Sequence, residues 1–402
     1  MKKKIVITGM GAVTPIGIGV ANYWNGLISG KCGIGEITKI DVTDIPVKAA
    51  AEIKDFNPKD YLSSRLSSDL DTYMQFAYIA AEEALRDSKM EIEPQRTGIV
   101  MSTALGGIAL IGKTQEELAV EGKNVGPRFL PKIMGNIAAA QFAISHGIKG
   151  PSLTVSTACS SGGDAVTMSA LLLEAGAADA VIVMGGESAI SPLTIQSLSR
   201  AGALSRNGES CPFDKKRDGF VMGEGGGAIV LETEEHALRR GAAVKAELMG
   251  CASNSDAFNP VAPDPSGGSV AECIKTALEK AGLSPEEIGY LNAHGTSTIK
   301  GDIAETKAIK RAFGGYDVPV SSTKSSTGHL MGAGGITEII ACVKAIETGV
   351  LPANINCNDI DEECDLNIIA NTPLRKSIDT AMSNSLGFGG QNSSIIVGKY
   401  QS

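Results

Sequence analysis

The chain has 402 residues, 43% hydrophobic and 20% charged, an ordinary globular balance with length enough for two domains or one large α/β body. Its formal net charge of -9 sets the overall field against nucleic acid and anionic membrane surfaces. The eight cysteines include no CxxC pair, which excludes zinc-ribbon and thioredoxin spacings and reads as reduced, cytosolic thiols.

In chain order, Lys2, Lys3 and Lys4 precede an uncharged run from Ile5 to Asn25 that superficially copies a secretory signal. Gly9, Gly11, Pro15, Gly17 and Gly19 give that run a strand-and-turn composition. No stretch approaches the ~18 apolar residues of a membrane span. A cytoplasmic protein is expected. Ile5–Thr8, Gly98–Met101, Ala180–Met184 and Ala228–Leu231 read as buried strands. Met74–Asp87, Gly162–Glu174, Ser269–Ala281 and Ile336–Glu347 carry helical periodicity. The alternation predicts an α/β fold with largely parallel sheets covered by helices. Ser152–Val181 runs strand, small-residue turn around Cys159, then helix, and Val318–Val350 repeats that order around His329. The repetition suggests two similar halves, divided after the basic stretch near Arg239 into 1–245 and 246–402.

The chemistry concentrates in a few polar turns. In Val155-Ser-Thr-Ala-Cys-Ser-Ser-Gly162 an apolar strand runs into small residues, a cysteine and a helix start. Cys159 then sits where helix N–H groups stabilise a thiolate and can hold an oxyanion. The bland alternative is a small core cysteine, which suits the other seven. Two of the four histidines lie in glycine-bearing turns, Asn292-Ala-His294-Gly-Thr-Ser-Thr298 and Lys324-Ser-Ser-Thr-Gly-His329. Alone each would be a local hydrogen bonder; together with Cys159 they suggest a Cys-His-His site. His146 and His236 fall on helical stretches and read as structural or solvated. Lys324 at a strand end is either a surface lysine or a buried cation paired with Glu338. Ser383-Asn-Ser-Leu-Gly-Phe-Gly-Gly-Gln-Asn392 is either a plain glycine-rich turn or a loop that a ligand approaches.

At these segments, and from Val6-Ile-Thr-Gly-Met-Gly-Ala-Val-Thr-Pro15 to Lys399-Tyr400, the chain resembles condensing enzymes of the thiolase-like superfamily. The nearest resemblance is to the β-ketoacyl-[acyl-carrier-protein] synthase II type of fatty acid synthesis. Pro212-Phe-Asp-Lys-Lys-Arg-Asp-Gly-Phe-Val-Met-Gly-Glu224 is a further match. The resemblance implies a layered αβαβα body of two similar halves, a homodimer, and an acyl carrier protein as partner, with no metal or cofactor. It makes Cys159 the acyl-accepting nucleophile, with the N–H groups of Cys159 and Phe388 as oxyanion hole and Phe388 as gate. It makes His294 and His329 hydrogen-bond donors in malonyl decarboxylation, supported by Lys324 and Glu338. Thr296 and Thr298 would bond the pantetheine arm, and Leu105 and Leu198 would wall the acyl pocket.

Departures from the family pattern concern the carrier. The basic cluster that commonly precedes Asp71 is reduced to Arg65, so Arg200, Lys215 and Arg217 become candidate carrier contacts. Asn259, Val261 and Ala262 stand where a histidine and hydroxyl residues are frequent, and Leu386 replaces a frequent phenylalanine. A specialised ketosynthase of a type II polyketide or related pathway is the alternative, while a binding-only chain-length partner would lack Cys159. Gly9 and Gly11 make a poor dinucleotide fingerprint, because Thr14 takes the third glycine position and Gly223-Glu-Gly-Gly-Gly-Ala228 precedes a strand. Ser321-Ser-Thr-Lys324 matches the SxxK pattern of penicillin-recognising enzymes without its companion motifs.

Overall fold

The computed structural model describes residues 3–401; Lys2 of the N-terminal lysine run lies outside the described residues, as do Met1 and Ser402. The first half contributes strands β1 (Ile5–Thr14), β2 (Thr97–Ser102), β3 (Ser152–Val155), β4 (Ala180–Glu187) and β5 (Gly225–Thr233). Its principal helices are α1 (Thr72–Ser88) and α2 (Ser161–Glu174). The second half contributes β6 (Ala246–Ser255), β7 (Tyr290–Asn292), β8 (Pro319–Ser321), β9 (Thr380–Gly387) and β10 (Gln391–Gly398). Helices α3 (Gly268–Ala281), α4 (Ile299–Phe313) and α5 (Gly334–Thr348) accompany them.

One mixed sheet runs β8-β7-β9-β10-β6-β1-β5-β4-β2-β3, with the short strand Asn367–Ile368 beyond β8. Its symmetry is internal: reading outward from the central β6/β1 pair, each half presents the same sequence of pairings. β1 and β5, β5 and β4, β6 and β10, and β10 and β9 are antiparallel, whereas β4/β2, β2/β3, β9/β7 and β7/β8 are parallel. The expectation of largely parallel sheets is therefore corrected for the middle. Apolar runs such as Ala228–Leu231 reveal a strand buried on both faces, but burial alone does not set its direction.

Five layers result. Helix α1 covers the outer face of β1, β5 and β4, and α3 with α4 covers the other outer face. Helices α2 and α5 pack on each other between strands of the two halves. Close packing explains the early glycines: a Cβ at Gly11 would stand 1.9 Å from the carbonyl oxygen of Ala80 in α1, so the pair serves helix contact rather than phosphate binding. Helix α3 buries Val270, Ala271, Ile274, Ala277 and Leu278 along one stripe and ends at Gly282, at φ 69°. Among the described residues no helix is long and apolar enough to cross a membrane.

The same order of elements recurs at the centre of each half. β3 leads through a tight turn into α2, and β8 leads through a longer one into α5. Ala158 and Met331, both non-glycine residues at φ 50°, open the corresponding turns. Both turns deliver chain to the same place, where the amino ends of α2 and α5 meet.

Candidate active site

A cavity of about 390 Å³ opens there, walled by Cys159, His294, Thr296, Thr298, His329, Leu386 and Phe388 among others. Cys159 lies in the short 3₁₀ turn Ala158–Ser160 that runs directly into α2. Thr157 and Ser160 hydroxyls bond one oxygen of Asp164, at 2.6 and 3.1 Å, and tie the turn to the first helical residues. The sulfur is a thiol rather than the thiolate expected from the helix start. Burial pushes it up to about 11, while the Lys324 ammonium and the Phe388 N–H oppose the shift.

His294 follows β7 on a turn with Gly295 at φ 33°. The Glu305 carboxylate accepts the N–H groups of His294 and Gly295 at 2.8 and 2.7 Å, and burial pushes that carboxyl up to about 7. Glu305 gave no sequence signal, because an acidic residue on a helix is ordinarily solvated. His329 is pinned at both ends: its N–H donates to the Val221 carbonyl at 2.8 Å, and its carbonyl accepts from Gly223 N–H at 2.9 Å. Met331 N–H donates to Nδ1 of the ring at 3.4 Å, which places the ring proton on Nε2. His329 Nε2 and His294 Nδ1 are buried and have no hydrogen-bond partner among the described residues. The two rings stand edge to face with centroids 5.3 Å apart. Burial, with the nearby Lys324 ammonium, holds both imidazoles well below the usual histidine range, so both are neutral.

Lys324 starts the short helix after β8, and its ammonium is bonded to Glu338 of α5, with both side chains 3% exposed. Burial pushes the Glu338 carboxyl up against the pull of Lys324. Thr296 and Thr298 hydroxyls lie 3.0 Å apart on the cavity wall. Phe388, 39% exposed, occupies the hairpin turn between β9 and β10, and Gly389 N–H donates to the Pro260 carbonyl at 2.8 Å. Val261 and Ala262 also line the cavity, as does Leu386. Leu198 packs in the apolar cluster that Cys159 joins. Leu105 lies apart: its side chain is 40% exposed and is not among the cavity walls.

The candidate carrier contacts separate sharply. Arg65 is on the surface beside Asp69, at 3.6 Å, and Asp69 is also bonded by Arg128 at 2.8 Å. Lys215 is exposed but bridged to Asp359 and Glu362. Arg217 is buried, with Nη1 2.7 Å from Asp361 and Nε 3.7 Å from Asp302, so it cannot meet a carrier and is corrected to a structural cation. Arg200 ends an exposed helix surface. Lys300, overlooked in the sequence, lines the cavity mouth beside Thr298. His146 pairs with Glu82 at 2.8 Å, and buried His236 is bonded to Glu232, so both are structural.

A thiol and two neutral imidazoles facing one cavity, held in a doubled layered fold, suit acyl transfer followed by attack of a carbon nucleophile. This is the architecture of a carbon–carbon bond-forming acyltransferase. Residues 2–237 match the Beta-ketoacyl synthase N-terminal domain and residues 245–358 the Beta-ketoacyl synthase C-terminal domain, so the chain belongs to the β-ketoacyl synthase family, with the thiolase-like fold.

Its relatives agree along the whole length. The 3-oxoacyl-[acyl-carrier-protein] synthase 2 of Synechocystis sp. is 41% identical over 411 residues, covering 100% of this chain and 99% of the relative. The enzyme of the same name from Coxiella burnetii is 39% identical over 409 residues, covering 99% of each. Among solved structures, the ishigamide ketosynthase/chain length factor superposes with a TM-score of 0.95 at 31% identity, covering 100% of both chains. A type II polyketide ketosynthase solved with its acyl-carrier protein, AntDE:AntF, gives 0.89 at 32% identity, again covering 100% of both.

Proposed function

We propose that Cys159, His294 and His329 divide the work of a decarboxylative condensation in fatty acid elongation. The observation that carries this reading is the pair of unpartnered imidazole nitrogens beside a half-buried thiol in one cavity. Cys159 Sγ attacks the thioester of an acyl-loaded carrier, and the carrier leaves as its thiol. Malonyl-carrier then enters and loses carbon dioxide, which places negative charge on its thioester oxygen. His329 donates Nε2–H to that oxygen, and His294 donates a second hydrogen bond from its neutral ring. A donor that never becomes charged needs no deprotonation between turnovers. The enolate carbon attacks the acyl-Cys159 carbonyl, whose oxyanion is held by the N–H groups of Cys159 and Phe388, each worth ~3 kcal/mol. Expulsion of the Cys159 sulfur, which takes up one proton from water, releases the β-ketoacyl-carrier and restores the thiol.

Lys324 and Glu338 hold positive charge near the enolate, Thr296 and Thr298 bond the pantetheine arm, and Phe388 moves aside as the acyl chain enters. Leu198 and Leu105 wall the acyl pocket, with a second copy of the chain covering Leu105. Exposed Leu118, Val120, Leu130, Ile144, Leu153 and Leu171 support such a homodimer, since apolar groups concentrated on α2, β3 and the helices between β2 and β3 favour burial. The carrier docks through Arg65 and Arg128, which share Asp69, with Arg200 and Lys300 also available, and the reaction runs in the cytoplasm. The halves 1–245 and 246–402 act as one catalytic unit, because Cys159 comes from the first and both histidines from the second.

Incubation with a panel of acyl-carriers and malonyl-carrier, read by mass spectrometry, tests the reading. An acyl adduct on Cys159 and a β-ketoacyl product are expected, and neither in Cys159→Ala. An intact adduct in that variant would refute the assignment. Elongation confined to poly-β-keto intermediates would favour the specialised ketosynthase, a reading supported by the likeness to the type II polyketide ketosynthase of AntDE:AntF.

A further inference from the structure

Glu187 ends β4 and is fully buried. Its hydrogen-bond partners are backbone N–H groups and one hydroxyl. Oε2 accepts from Ala104 N–H at 2.7 Å and from Gly332 N–H at 3.2 Å. Oε1 accepts from Leu105 N–H at 3.3 Å, and the Thr103 hydroxyl lies 3.4 and 3.5 Å from the two oxygens. Two distant segments thus converge on one carboxylate: the loop that follows β2, and the turn Met331–Ala333 that follows His329.

The second segment matters for the ring. Met331 N–H is the donor that sets the His329 tautomer, and Gly332 is the next residue. Gly332 is gripped at both its polar atoms, because Ser102 Oγ donates to its carbonyl at 2.9 Å. It has no space for a side chain, since a Cβ there would stand 2.4 Å from Ala104 N. The turn is therefore wedged against the Thr103–Leu105 loop, with Glu187 holding both. Burial pushes Glu187 up to about 7 and the backbone N–H groups oppose that shift. An amide of the same shape would avoid the burial cost of a charge, but only its oxygen could accept these N–H groups.

We propose that Glu187 is a positioning residue for the condensation, fixing the tautomer and aim of His329 through the Met331–Ala333 turn while anchoring the Thr103–Leu105 loop beside it. The proposal rests on the reading of His329 as the enolate donor. It also predicts an asymmetry. The negative charge of Glu187 is among the groups that keep the Cys159 thiol protonated, so removing it should not lower the loading rate at saturating acyl-carrier, and a loosened Leu105 wall should show only in the concentration needed for saturation.

The test compares Glu187→Gln with His329→Ala and the native enzyme. Carbon dioxide release from malonyl-carrier and acyl loading from acyl-carrier are timed separately, and the His329 ring is followed by ¹⁵N resonances. In Glu187→Gln, release should fall at least about tenfold, loading at saturating acyl-carrier should hold or quicken, and the resonances should lose the single Nε2–H tautomer. Ser102→Ala, which loosens Gly332 without unpairing the carboxylate, should show the same selective loss at about two- to fivefold. It serves alone if the first variant does not fold. Native release in a folded Glu187→Gln enzyme, or release and loading falling together in step with thermal stability, overturns the proposal. Native release in His329→Ala overturns the donor reading itself, and the role of Glu187 with it.

Discussion

Breaking the Lys324–Glu338 pair by removing the lysine should leave a stability deficit that grows as pH rises. Both side chains are 3% exposed, so neither charge left alone can be solvated in place. In Lys324→Met the remaining carboxyl is already pushed up by burial and takes a proton. Protonating a group with an ordinary value of 4.5 costs ~3.4 kcal/mol at pH 7 and ~0.7 kcal/mol at pH 5, at 1.36 kcal/mol per pH unit. Both fall at or below the ~3–5 kcal/mol usual for breaking a buried pair. An unfolding entropy of ~2.1 cal/mol/K per residue gives ~0.84 kcal/mol/K for 402 residues. The Tm deficit of Lys324→Met should then be ~4 °C at pH 7 and ~1 °C at pH 5. The sign follows from linkage: a carboxyl whose folded pKa is raised contributes stability below its unfolded value and loses it as pH rises. Glu338→Leu leaves the Lys324 ammonium buried without its carboxylate, a break of the kind that costs ~3–5 kcal/mol. Calorimetry of both variants against the native enzyme at each pH measures these deficits, and the double variant should lie nearer native than either single. A Lys324→Met deficit that deepens in acid, or a double variant that loses the sum, would refute the reasoning.

Other outcomes follow from the same geometry. His294→Ala and His329→Ala should still acquire the acyl group while releasing carbon dioxide at least about 100-fold more slowly; loss of loading with normal release would reverse the roles. Because burial and Lys324 hold both rings neutral, release should stay level between pH 8 and pH 6, and a step centred near the ordinary histidine value of 6.5 would refute that state. Asp69→Lys with Ser68→Arg should tighten carrier binding at low salt and steepen its salt dependence, since it adds two cations and frees Arg65 and Arg128. No change in affinity or salt slope would mean that the carrier docks elsewhere.

Local sequence determined much of this protein. Apolar runs marked β2, β4 and β5 to within three residues and the first four residues of the ten-residue β1, and periodicity marked α1, α2, α3 and α5, because burial of a face leaves its period in the chain. The small residues around Cys159 and the glycine before His329 announced turns between strand and helix, and the repeated order announced two similar halves. What waited for the tertiary structure depends on groups distant in sequence. Strand direction in the middle of the sheet is set by pairing across the halves, and a doubly buried strand reads alike either way. Arg217 was indistinguishable from a surface cation until Asp302 and Asp361 closed around it. The same holds for Glu187 and Glu305, ordinary acidic residues in the chain that become clamps only when buried backbone N–H groups converge on them. The protonation of Cys159 changed most: a helix start favours a thiolate, but desolvation by both halves outweighs it, and desolvation has no local signature.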